Sequence, residues 1–83
     1  SLELIKRVAK NKDASIIDVG GGDGYLVDEL IQLGYNNITV LDISVNAINK
    51  AKKRLGGIAK NIKWIISDIT EFNPTDKYDV WHD

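Results

Sequence analysis

A short apolar run that ends in a cluster of glycines constrains the fold of this chain more than any other feature. Ser15 to Val19 is apolar and β-branched, and four of the next five residues, Gly20 to Gly24, are glycines. Such a run is typical of a strand buried on both faces of a parallel sheet. Glycines permit positive φ angles and leave no β-carbon in the way, so a ligand can pack against exposed backbone amides. A helix after this turn would add the positive end of its dipole.

Helical and strand patterns alternate along the rest of the chain. Predicted helices occupy residues 2–9, 25–33 and 45–55, and predicted strands occupy residues 15–19, 38–41, 62–66 and 78–81. Ser44 is a favoured N-cap for the third helix, Gly34 and Gly56 suit helix ends, and Pro74 lies in a polar connection. Strands separated by helices of this length imply right-handed crossovers. We therefore expect an α/β fold with a parallel sheet.

Size and composition predict one ordinary domain at most. The 83 residues are 43% hydrophobic and 28% charged, with a net charge of −1, so nothing points to nucleic acid or a membrane. The apolar runs are too short to cross a bilayer. The chain has no cysteine and a single histidine, His82, a composition that argues against a dedicated zinc site. We expect a cytoplasmic protein without a metal.

The spacing of the glycines separates two classes of nucleotide-binding turn. In the dinucleotide fingerprint the third glycine comes three residues after the second, and Tyr25 stands at that position. The observed spacing is acid-x-Gly-x-Gly-x-Gly, formed by Asp18, Gly20, Gly22 and Gly24. The NAD(P)-binding half of an oxidoreductase is therefore the less favoured interpretation. A plain structural turn remains an alternative for the glycines.

This spacing resembles motif I of the class I S-adenosylmethionine (SAM) dependent methyltransferases. The resemblance implies a Rossmann-like three-layer sandwich with about four parallel strands in the order 3-2-1-4 and helices on both faces, truncated relative to a full seven-stranded domain. Residues 1–83 would then be the cofactor-binding part of the domain. It also implies that Gly20, Gly21 and Gly22 contact SAM, while Asp18 approaches its cationic methionyl end.

Two further acids follow predicted strands, where ligands bind in folds of this class. The resemblance assigns Asp42 to the ribose hydroxyls, with Ile43 against one face of the adenine. It assigns Asp68 to the adenine amino group and the amide of Ile69 to a ring nitrogen. The structural alternatives are that Asp42 helps Ser44 to cap a helix and that Asp68 is a turn residue.

The end of the chain, Tyr78 to Asp83, matches the place where the family's fourth motif begins, near the methyl acceptor. It lacks the Asn-Pro-Pro-Tyr or Asp-Pro-Pro-Tyr sequence of enzymes that methylate nucleic acid bases or glutamine. We therefore expect a small molecule or a protein as acceptor and assign no catalytic residue. His82 is either a general base or a hydrogen-bonded residue of the substrate wall. Trp64 and Trp81 are expected to pack.

The chain begins at Ser1 rather than methionine and stops at Asp83, directly after a predicted strand. We therefore expect a fragment whose fourth strand lies at an uncovered edge and favours self-association. A non-catalytic module, truncated or engineered, is the alternative to a methyltransferase part.

Overall fold

The computed structural model describes residues 2–73 and 77–83, so the expected connection at Pro74 lies outside the described residues. Its helices are α1 (Leu2–Val8), α2 (Leu26–Gln32) and α3 (Val45–Leu55), and its strands are β1 (Ile16–Val19), β2 (Ile38–Asp42), β3 (Lys63–Ile66) and β4 (Val80–His82). Two 3₁₀ turns, Gly21–Asp23 and Gly56–Asn61, precede α2 and β3. None of the helices in the described ranges is long and apolar enough to cross a membrane.

The four strands form one parallel sheet in the order β3-β2-β1-β4, which confirms the predicted α/β, Rossmann-like topology. Asp18 is in register with Val40 of β2 and with His82 of β4. Asp42, at the end of β2, is in register with Ile66 of β3. The carboxyl ends of all four strands therefore meet at one edge, where the candidate site lies.

One apolar cluster joins a face of the sheet to the three helices. The sheet contributes Ile16, Ile38, Val40 and Val80, and the helices contribute Ile5, Val27, Leu30 and Ile48. Alternation along parallel strands in register places these four sheet residues on the same face. Full burial of each such aliphatic side chain contributes about 1.5 to 3 kcal/mol, so this cluster fixes how the helices lie against the sheet.

Helix α3 has the clearest local sequence signals of the three helices. Ser44 caps it, since its hydroxyl accepts a hydrogen bond from the amide of Ala47 at 3.1 Å, as predicted. Lys52, Lys53 and Arg54 in the last turn complement the negative end of the helix dipole. Gly56, at φ +64°, ends the helix, but the chain continues in a 3₁₀ turn, so β3 begins one residue later than expected.

Strand β4 begins later than the sequence predicts, at Val80 rather than Tyr78. The amides of Asp79 and Val80 both donate to the carbonyl of Ser15, at 2.8 and 3.0 Å. In return, the amide of Ser15 donates to Oδ2 of Asp79 at 2.8 Å. These bonds set the register of β4 against β1 and bring His82 inside the strand.

The two tryptophans differ in how far they are buried. Trp64 packs partly against the core, and its Nε1 donates to the carbonyl of Ala59 at 3.0 Å. Trp81 lies on the face of the sheet opposite Val80 and contacts the rings of Phe72 and Tyr78, with centroids 6.3 and 6.1 Å away. Because 47% of Trp81 stays exposed, its packing is only partial.

Candidate functional site

The glycine turn, Gly20 to Gly24, packs closely against β1 and α3. Gly20 has φ +74°, a left-handed conformation that L side chains rarely adopt, and a β-carbon there would meet no atom within 4 Å. Gly21 lies directly against the carboxylate of Asp18, where a β-carbon would collide. A β-carbon on Gly22 would come within 2.9 Å of the Ala47 side chain. Gly21 and Gly22 therefore permit close packing, and Gly20 faces open space.

The amides of this turn are less available than the sequence predicts. The amide of Gly20 donates to the carbonyl of Leu41 at 2.6 Å, that of Gly22 to Oδ2 of Asp42 at 3.0 Å, and that of Gly24 to the carbonyl of Gly21 at 3.2 Å. Helix α2 begins at Leu26, after the turn, and its N-cap residue Tyr25 makes no side-chain capping hydrogen bond. A ligand would use the open surface over Gly20.

Asp42 organises the turn and also retains capacity for a ligand. Its Oδ1 accepts from the amide of Ser44 at 2.9 Å, and its Oδ2 accepts from the amide of Gly22 at 3.0 Å. Each carboxylate oxygen can accept two hydrogen bonds, so among the described residues one acceptor position remains on each. The structural and the ligand-binding interpretations of Asp42 are therefore compatible.

Asp68 forms a turn with the residue two positions later. The amide and the hydroxyl of Thr70 donate to its Oδ1 at 2.9 and 2.8 Å, and these hydrogen bonds, the backbone one foremost, lower the pKa of the Asp68 carboxyl. Within the described part of the chain no group donates to Oδ2. Asp68 thus has the turn role considered above, with one oxygen left for a ligand.

A cavity of about 150 Å³ brings together most of the residues that the sequence predicts for the site. The cavity is lined by the last residues of β1 and β2 and by residues that come directly after β1, β2 and β3: Val19, Gly20, Leu41, Asp42, Ile43, Ser67, Asp68 and Ile69. Ile43 and Ile69 are exposed apolar side chains, at 67% and 40%. Sequence reasoning missed Val19, Leu41 and Ser67, although Ser67 directly precedes Asp68 and its amide donates to the Asp42 carbonyl at 3.1 Å.

Asp18 lies beneath the turn rather than in this cavity. It is only 3% exposed, and its Oδ1 lies 3.0 Å from Nδ1 of His82. Burial raises the pKa of the Asp18 carboxyl, against the opposing effect of the hydrogen bond and charge of His82, and the negative charge of Asp42 adds to the rise. The expected hydrogen bonding of Asp18 is found, but the sequence did not identify His82 as its partner.

Comparison with known proteins agrees with this geometry. Residues 16–83, which contain every strand of the sheet, match the family model described as a methyltransferase domain. The chain belongs to this methyltransferase family. Its resemblance to the class I SAM-dependent methyltransferases is thereby confirmed, and the methyl donor of that class is SAM.

Individual relatives of this methyltransferase domain differ in what their names say they act on. Malonyl-[acyl-carrier protein] O-methyltransferase 1 of Ilyobacter polytropus is 34% identical over 80 residues, which are 95% of this chain and 29% of the relative. EEF1A lysine methyltransferase 2 of Mus musculus is 36% identical over 84 residues, covering 95% of this chain and 33% of the relative. The type II methyltransferase M.HincII of Haemophilus influenzae is 44% identical over 46 residues, or 55% of this chain and 9% of that protein. The chain therefore spans a third or less of the length of these relatives.

Proposed function

We propose that this chain binds SAM at the carboxyl edge of its sheet and that the whole protein transfers the methyl group to an acceptor. The observation that carries the proposal is the cavity that groups Asp42 and Asp68 with Gly20 and Ile43. The ribose hydroxyls and the adenine amino group are hydrogen-bond donors, and ionised carboxylates only accept. Exposed Ile43 and Ile69 offer apolar contact to a purine. The residues present therefore fit an adenosyl group.

The size of the cavity supports binding of only part of the cofactor there. Its volume of about 150 Å³ is below the range of about 300 to 1,000 Å³ typical of pockets that enclose a whole ligand. With adenosine over β2 and β3, the methionyl part would extend across Gly20 toward β1 and β4, since those strands lie on the other side of the turn. We propose this placement for the cofactor.

SAM, when bound, supplies an electrophilic methyl group on a sulfonium. The chain's own residues would bind the adenosine, orient it and exclude water on one side, which raises the rate through proximity and alignment. The acceptor we propose is a small molecule or a protein. The same region of this chain matches one relative named for malonyl-[acyl-carrier protein] and another named for a lysine of EEF1A, which is consistent with a shared cofactor-binding part.

Calorimetric titration with SAM, S-adenosylhomocysteine (SAH) and NAD tests the cofactor assignment. We expect SAM and SAH to bind and NAD to give no heat of binding. Binding of NAD alone would overturn the proposal in favour of the oxidoreductase alternative.

The ribose role of Asp42 is tested by comparing Asp42→Ala with Ser44→Ala. Both substitutions remove a hydrogen bond at the start of α3, but only the first removes a carboxylate from the cavity. Asp42→Ala is expected to weaken SAM binding by about 1.5 to 3 kcal/mol, or about 10- to 150-fold, the range for charge-assisted hydrogen bonds.

Ser44→Ala is the matched control for that comparison. It is expected to lower the free energy of unfolding by about 1 kcal/mol, the usual cost of losing an N-cap, with affinity for SAM unchanged. An equal loss of affinity in both variants would show that Asp42 acts through the start of α3 and not by contacting the ribose, since Ser44→Ala leaves the bond between Asp42 and the amide of Gly22 intact.

A further inference from the structure

His82 and Asp18 form a partly buried polar pair across two neighbouring strands. They are in register on β4 and β1, with Nδ1 of His82 3.0 Å from Oδ1 of Asp18. The Asp18 side chain is 5% exposed and the His82 side chain 29%, so solvent reaches only the histidine. Neither the cavity over β2 and β3 nor the turn contacts described above require a histidine at this position.

The pair lies where its charge would act on the methionyl end of a bound cofactor. Gly21 packs directly on the Asp18 carboxylate, so the pair is separated from the surface of the turn by a single backbone segment. The adenosine cavity is lined from the ends of β1, β2 and β3, and β4 is the strand beyond β1 in the sheet. A ligand with its adenosine over β2 and β3 would therefore extend its sulfonium toward Asp18.

The charge of this pair depends on the imidazole. When Asp18 is ionised and His82 is neutral, Nδ1–H donates to the carboxylate and the pair carries one negative charge. When the imidazole is protonated, the pair is neutral overall. A single proton on the imidazole therefore decides whether the pair is charged.

We propose that His82 is a positioning residue for Asp18, and that the charge of the Asp18–His82 pair sets how strongly the pocket prefers SAM to SAH. The inference rests on the proposed function, since it requires that both compounds bind. SAM carries a positive sulfonium where SAH has a neutral thioether, and the rest of the two molecules is the same apart from the methyl group. A negative pair therefore favours SAM selectively, and a neutral pair does not.

Within the described residues, Asp42 and Asp79 are carboxylates that lie near this pair. From the end of β2, Asp42 acts on Asp18 with a negative charge. Asp79 lines the groove beside His82, ahead of β4, and α1 contributes apolar side chains to the same groove: Leu4, Ile5 and Val8. Both carboxylates are the same in the unmodified protein and in the His82 variants described below, so comparison with those variants separates their contribution. A change in preference between about pH 5.5 and 8 that is absent from His82→Asn would thus report the histidine, whereas one that persists there would come from Asp18, whose pKa burial raises.

The test is to titrate the protein with SAM and with SAH across the range from about pH 5.5 to pH 8. We expect the ratio of the two affinities to fall about tenfold on acidification, the size of effect that one nearby unit charge produces at a partly screened site. Because SAM and SAH bind the same folded protein and differ only at the sulfur, the ratio of their affinities removes effects on folding and on binding of the parts that they share. A ratio independent of pH, with both ligands bound, would overturn this inference and leave the proposed function intact. Binding of neither ligand at any pH would overturn the proposed function itself.

Two substitutions separate charge from structure. His82→Asn retains an N–H donor near the position of Nδ1 but cannot gain a charge, so its ratio is expected to stay constant at the alkaline value of the unmodified protein. His82→Phe removes the donor, leaves Asp18 buried without its partner and is expected to keep the ratio low throughout. A purely structural role would weaken both ligands equally. A ratio that still changes with pH in His82→Asn would show that another group is responsible.

Discussion

The candidate site has two ends, one beneath β1 and β4 and one over β2 and β3, and their carboxylates differ in burial and in hydrogen-bond partners. Under β1 and β4, Asp18 is only 3% exposed and depends on a residue 64 positions away, His82, for its side-chain hydrogen bond. Over β2 and β3, Asp42 and Asp68 are partly exposed and accept hydrogen bonds from their own turns, Ser44 and Thr70. Long-range packing thus fixes Asp18 and local geometry fixes Asp68, while Asp42 combines its local bond with one from the amide of Gly22, 20 residues away. Asp18 should therefore be the most sensitive of the three acids to changes in packing.

The substitution Gly21→Ala should disturb the buried end most strongly. A β-carbon there collides with the Asp18 carboxylate, which is held between β1 and β4 and cannot move away freely. We expect a loss in the free energy of unfolding on the order of 3 kcal/mol, at the upper end of overpacking effects. Urea denaturation followed by circular dichroism measures this loss.

Gly24→Ala is the matched control, four residues from Gly20 in the same glycine cluster. A β-carbon at Gly24 would contact only the carbonyl of Gly21 at 3.8 Å, and its φ of −94° and ψ of 176° suit alanine. We expect a change within about 0.5 kcal/mol. If both alanines cost the same, the close contact between Gly21 and Asp18 is not what requires glycine there.

The second prediction concerns Asp18→Asn and the dependence of stability on pH. Because burial raises the pKa of Asp18, the native state binds this proton more readily than the unfolded chain does. The stability of the unmodified protein should therefore fall as pH rises from the ordinary carboxyl range through the raised value. Asparagine lacks this charge and can still accept a hydrogen bond from His82, so the variant should gain about 0.5 to 2 kcal/mol relative to the unmodified protein near neutral pH.

Urea denaturation of both proteins between about pH 4 and pH 7 checks this second prediction. The advantage of Asp18→Asn should grow with pH, while the variant loses the charge on which the proposed preference for SAM depends. A difference in stability that is constant over this range, or that shrinks with rising pH, would contradict a raised pKa.

The difference between local and long-range contacts also explains which parts of the candidate site the sequence predicted. The parallel strands and the positions of Asp42 and Asp68 could be predicted because they depend on local patterns, a buried run followed by an acid and a cap such as Ser44, and the resemblance supplied the strand order. The Asp18–His82 contact could not, since the register of β4 is set by bonds between Ser15 and Asp79, also 64 residues apart. The predicted strand stopped at Trp81 and left His82 outside the sheet.

The amides of the glycine turn were mispredicted for a related reason. Glycine spacing indicates a tight turn but does not show what satisfies its donors. The carbonyl of Leu41 and the carboxylate of Asp42, both from β2, accept from Gly20 and Gly22. These acceptors come from a strand paired with β1, so only the assembled sheet shows that the amides are used within the protein.

The smallest expected change in stability is at Asp68, and its dependence on pH has the opposite sign to that expected at Asp18. Hydrogen bonds from Thr70 lower the pKa of Asp68, so its carboxylate adds stability that is present above the ordinary carboxyl range and is lost as pH falls through the lowered value. Asp68→Asn should therefore lose stability relative to the unmodified protein as pH rises, whereas Asp18→Asn gains it. The effect should be slight because the carboxylate is solvated and its interactions are screened. The same denaturation series measures both variants, and slopes of equal sign would mean that the two ends of the site do not differ in the way their burial and hydrogen bonds indicate.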